Sequence, residues 1–141
     1  MNSNMYHEIF AEFQKAATKD ERISVLKKHG NQRFIIFMNY LFNPIVKFDV
    51  EIPKYRPAIE PAGLNYTYLD SEIPKLYRFI VGHPSRKPGL TSKKQQQLLL
   101  VVLESLHKEE ADILVRLMQK DLKIKFLTPK LVKEAFPELP I

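Results

Sequence analysis

The sequence predicts an all-α fold, a compact bundle of about seven helices with a long Pro-rich connection after the third. Three observations carry that expectation. Apolar residues recur every three or four positions along most of the chain, the spacing that lines one face of an α-helix. Residues suited to capping, among them Thr18, Asn31, Thr91 and Thr128, stand just before these runs. Pro44, Pro53, Pro57 and Pro61 fall within one stretch and forbid a continuous helix there. A chain of 141 residues is long enough for one domain with its own core and too short for two ordinary ones. Residues 1–141 are therefore expected to form a single helical domain.

Each element has its own signal. Tyr6, Ile9, Phe10, Phe13 and Ala17 give the inner face of a first helix. Thr18-Lys19-Asp20-Glu21 is a capping-box pattern that opens a second, running through Ile23 and Leu26 until Gly30. Asn31 caps a third, with Phe34, Phe37, Met38 and Leu41 inward. From Asn43 to Asn65 the prolines take over, and Val46 to Val50 alternates like a short extended segment. So long a connection has to be pinned by its aromatic residues. Asp70 or Ser71 opens a fourth helix, with Ile73, Leu76, Tyr77 and Ile80 inward and Gly82 closing it. After a basic loop from His83 to Gly89, Thr91 caps a fifth helix reaching His107. Its run Leu98 to Leu103 is apolar all round, the mark of a fully packed helix. A sixth begins near Lys108, with Leu114, Leu117 and Met118 inward. Thr128-Pro129 opens a short seventh that buries Leu131, Val132, Ala135 and Phe136 before Pro137.

Composition limits the function. There are 22 Lys and Arg against 16 Asp and Glu, a formal net charge of +6, which fits a polyanionic partner without requiring one. Cysteine is absent, which removes disulfides, thiolate metal sites and cysteine nucleophiles and suits a reducing compartment. The first thirteen residues mix His and Glu with apolar residues, unlike a signal peptide. Leu98 to Leu103 is far too short to span a bilayer. A soluble, intracellular, cytoplasmic protein without membrane attachment is expected, and Asn65-Tyr66-Thr67 is then a chance match to a glycosylation site.

No catalytic centre is recognisable. His7, His29, His83 and His107 are scattered, without ligand spacing, so no metal is expected. Glu109, Glu110 and Asp112 begin the sixth helix, where carboxylates complement the helix dipole. The four glycines are isolated and form no phosphate loop. Lys47-Phe48-Asp49-Val50 partly matches the lysine nucleophile motif of nucleotidyltransferases, but its glycine is missing. The chain reads as a non-enzyme without a cofactor. The informative residues are basic. Arg86, Lys87, Lys93 and Lys94 flank the start of the fifth helix, and Arg116, Lys120, Lys123, Lys125, Lys130 and Lys133 follow further on. Arg116 and Lys120, four apart, share a helix face. Thr128 offers a hydroxyl and a helix start, both suited to phosphate.

The stretch Leu114 to Pro137 reads Leu-Val-Arg-Leu-Met-Gln-Lys-Asp-Leu-Lys-Ile-Lys-Phe-Leu-Thr-Pro-Lys-Leu-Val-Lys-Glu-Ala-Phe-Pro. It resembles the end of the N-terminal DNA-binding domain of ATP-dependent DNA ligases of the T4-like phage type. There a helix closes on Arg/Lys-Asp-Leu-Lys/Arg, a tight turn follows, and a short helix ends near an aromatic residue and proline. Upstream, Gly63-Leu64-Asn65-Tyr66-Thr67-Tyr68-Leu69, a helix, a basic loop, a Leu-rich helix and an acidic helix start keep the same order. The resemblance implies an all-helical module that grips double-stranded DNA on its minor-groove side, mainly through phosphates. It places Lys120, Lys123, Lys125, Thr128 and Lys130 near the backbone. One departure is plain: family members usually carry glycine where this chain has Lys125. The resemblance further implies a small phage protein without the catalytic domain, acting in DNA replication, repair or host takeover in the host cytoplasm. The expected function is non-catalytic, largely sequence-independent duplex binding. The alternative is an interaction module for a host or phage replication or transcription protein, with Tyr55, Tyr66 and Tyr68 in the Pro-rich segment as its contact surface.

Overall fold

Aromatic residues at helical spacing build the first three helices. In the computed structural model, which describes residues 5–56, 68–84 and 91–141, α1 spans Tyr6–Lys15, α2 Lys19–Lys28 and α3 Gln32–Phe42. Tyr6, Phe10, Phe34 and Phe37 meet in one cluster. Tyr6 lies edge-on to Phe37 and Phe34 at centroid separations of 5.0 and 5.5 Å, and Phe136 meets Phe34 edge-on at 6.4 Å. All four inner residues assigned to the third helix are buried. The caps also form as the sequence implies: the Thr18 hydroxyl accepts from the Glu21 N–H at 3.2 Å and the Asn31 carbonyl from the Phe34 N–H at 2.8 Å. Glu21 reaches past the cap residue to the Ala17 N–H. Ala17 therefore lies in the exposed joint between α1 and α2 and not on the inner face of α1.

The fourth element differs from the sequence expectation. Only Leu69–Glu72 is α-helical (α4), and a tighter 3-10 turn continues it over Ile73–Phe79. Pro74 cannot donate to the carbonyl of Asp70, so the α ladder fails there. In the tighter helix every third residue shares a face, and Ile73, Leu76 and Phe79 are all buried while Tyr77 is half-buried. Gly82, at φ 71°, ends the segment in left-handed backbone.

The connection after α3 is tied down in its described part. Asp49 N–H donates to the Phe79 carbonyl at 3.1 Å and Val81 N–H to the Lys47 carbonyl at 2.8 Å. An isolated antiparallel bridge between Phe48 and Ile80 stands where an extended segment was expected. Phe48 packs edge-on to Tyr40, and the Tyr55 hydroxyl donates to Asp112. Pro57, Pro61 and Tyr66 lie outside the described residues.

Helix α5, Ser92–Ser105, stops short of His107, which instead caps α6, Lys108–Met118. The apolar run on α5 is one-sided: Leu99, Val102 and Leu103 are buried, but Val101 is 68% exposed. The more central element is α6, which packs against α1, α3, α4 and α5. Helix α7, Pro129–Ala135, closes onto α2, with Leu131, Val132, Ala135 and Phe136 buried as expected. Among the described residues no helix is long and apolar enough to cross a membrane.

Candidate nucleic-acid interface

The basic segment begins where α6 ends. Lys120 N–H donates to the Leu117 carbonyl at 2.9 Å and Asp121 N–H to the Arg116 carbonyl at 3.0 Å. This pair of bonds closes a helix through a residue in left-handed backbone, usually glycine. Here that residue is Lys120, at φ 61°. Its side chain accounts for the choice. The ammonium donates to the carbonyls of Tyr40, Asn43 and Val46, the last two at 2.9 Å, and so closes the C-terminal end of α3. Burial draws this ammonium down to about 8. Three backbone carbonyls thus hold the Lys120 ammonium at the end of α3, while its partly buried side chain also lines a groove together with Lys123 and Lys125.

Two further members of the set are engaged locally. The half-buried Lys133 donates to the Leu139 carbonyl just beyond its own helix. The Thr128 hydroxyl accepts from the Leu131 N–H at 3.2 Å, so it serves as the cap of α7.

The remaining cations face outward. Arg116, Lys123, Lys125 and Lys130 are exposed and form no ion pair among the described residues. The acids interspersed with them are partly occupied. Glu134 pairs with Lys19 at 2.9 Å, Asp121 accepts from the Lys123 N–H at 2.9 Å, and Asp112 accepts from Tyr55. Lys123 and Lys125 line an open groove of about 330 Å³ whose apolar wall includes Leu41, Phe42, Ile124 and Leu127. The glycine of the ligase pattern falls at Lys125, but the left-handed residues of the turn stand on either side of it, Lys123 at φ 57° and Phe126 at φ 70°. Lys93 and Lys94 are exposed in the first turn of α5. Arg86 and Lys87 lie outside the described residues.

Two residues that sequence reasoning passed over belong to this surface. Phe126 is 46% exposed, and the Arg22 guanidinium lies 3.7 Å from its ring centroid. Nothing in the sequence links α2 to this turn. Phe126 is one of four apolar residues in this turn, with Leu122, Ile124 and Leu127, so the sequence did not single it out.

Two of the histidines that are scattered in sequence meet in the fold. The rings of His7 and His107 stack at 5.9 Å, and His7 contacts both Glu109 and Glu110. Glu110 does more than complement its own helix dipole. Fully buried, it accepts from the Tyr6 and His7 N–H groups at 2.9 and 2.8 Å and so caps α1. No group of three or more potential ligands suited to a metal ion occurs among the described residues. In the nucleotidyltransferase-like stretch, Asp49 accepts from the buried Gln95 side chain and the Lys47 carbonyl accepts from Val81, ties that hold the connection in place.

A model of DUF6433, a family of unknown function, matches residues 9–124, from α1 to the turn after α6. No curated protein and no solved structure matches the chain.

Proposed function

The chain belongs to the DUF6433 family, and we propose that it is a non-catalytic protein that binds double-stranded DNA through phosphates, largely without regard to sequence. The observation that carries this reading is the set of exposed cations Arg116, Lys123, Lys125 and Lys130, without an ion pair among the described residues, on and after the end of α6. Lysine and arginine supply affinity by displacing counterions from phosphates, whereas sequence is read by side chains reaching base edges. This patch is made of the former. The resemblance of residues 114–137 to the ligase DNA-binding domain adds to the reading and suggests a role in phage DNA replication, repair or host takeover. Lys93 and Lys94 extend the charge to α5, whereas Lys120 and Lys133 belong to the scaffold.

A titration of intact duplex at several salt concentrations tests it. Four phosphate contacts give a roughly hundredfold loss of affinity between about 50 and 200 mM salt. Undetectable binding to duplex at low salt would sink the proposal.

A further inference from the structure

We infer that Phe126, backed by Arg22, is a stacking platform for one unpaired base beside the phosphate-binding cations; this rests on the DNA-binding reading and names the feature of DNA that the site favours. Phe126 holds left-handed backbone at φ 70°, a region that non-glycine residues enter at a cost. Phe126 remains 46% exposed, so burial offsets that cost only in part. Glycine or asparagine would make the same turn more cheaply and more solubly.

The turn is also built to hold the ring. Lys120 anchors its start on three carbonyls of the α3 end, Asp121 ties down the Lys123 N–H, and Thr128 caps the helix that follows. The Arg22 guanidinium is held by the ring at 3.7 Å and by the Ala16 carbonyl at 3.3 Å. The Lys125 ammonium lies 5.1 Å from the same centroid. A fixed, partly exposed aromatic ring with cations beside it is the arrangement that single-stranded nucleic acid recognises. The base stacks on the ring, and the neighbouring phosphates meet the charges. An intact duplex offers no free base face, so the preference is for an extrahelical base.

The test is a titration of the full chain against three oligonucleotide probes: an intact duplex, the same duplex with one bulged adenine, and a single strand. The wild-type protein is expected to bind the bulged duplex about five- to a hundredfold more tightly than the intact one, the range one base–aromatic stack supplies. Phe126→Leu should lose that preference while keeping its affinity for intact duplex, and Phe126→Tyr should retain it. Circular dichroism establishes that both variants are folded. Equal affinity for bulged and intact duplex, or a preference that survives Phe126→Leu, overturns this inference and leaves the duplex-binding reading standing. Absence of binding to all three probes overturns both.

Discussion

At the scale of single residues, the most consequential side chains are charged groups turned inward. Lys120→Met keeps the length and removes the ammonium, taking a donor from the carbonyls of Tyr40, Asn43 and Val46, of which Asn43 keeps the Val46 N–H. A loss of about 1–3 kcal/mol is expected, measurable by urea denaturation. The same group gives a pH dependence. Its folded-state value is about 8 against an ordinary 10.5, because burial disfavours the charge. Between those values the unfolded chain binds more protons than the folded one. This lysine's contribution therefore makes the fold more stable as pH rises from about 8 toward 10.5. Denaturation midpoints of wild type minus Lys120→Met should climb across that window, and a flat difference would refute the assignment. Glu110 is the acidic counterpart. Glu110→Gln turns an amide donor toward backbone N–H groups and should cost about 1–3 kcal/mol.

At the scale of elements, the joint between α2 and α7 is tight. A Cβ on Gly30 would stand 2.7 Å from the nearest Phe136 ring atom, so glycine serves close approach here. Gly30→Ala is expected to destabilise the fold by about 1–3 kcal/mol through overpacking. Phe136→Leu in the same chain should recover part of that loss, and strict additivity would argue against a direct clash. The elements also show what the sequence could and could not reveal. Caps and inner faces of α2, α3 and α7 were legible because both depend on residues within a turn or two of each other. The 3-10 turn was not legible because Pro74 interrupts the α ladder and the buried residues around it, Ile73, Leu76 and Phe79, keep a period of three in place of 3.6. The further roles of Glu110 and Lys120 were illegible for another reason. Each caps a helix distant in sequence, Glu110 the start of α1 and Lys120 the end of α3, and no local pattern announces a cap supplied by tertiary packing. The exposed cations were legible as a group, but their division into scaffold and surface required the fold.

For the whole molecule, the question is how a modest formal charge of +6 produces a binding face. Net charge alone steers weakly; placement decides. Lys19, Lys28 and Arg33 are spent on Glu134, Glu12 and Asp70, so their charges are compensated locally. Arg116, Lys123, Lys125 and Lys130 have no such ion-pair partner among the described residues, and they follow one another along the end of α6 and the start of α7. Two variant proteins with the same net charge separate placement from total. Replacing those four by glutamine should abolish most of the salt dependence, lowering the slope of log affinity against log salt by about 3–4. Replacing Lys15, Lys27, Lys54 and Lys108, which are exposed elsewhere on the chain, should change it far less. Because all eight side chains lie at the surface, both variants should unfold within about 0.5 kcal/mol per substitution of the wild type. If the two variants lose affinity equally, the DNA responds to total charge and the proposed face is wrong; if only the first does, the charge is organised as the fold arranges it.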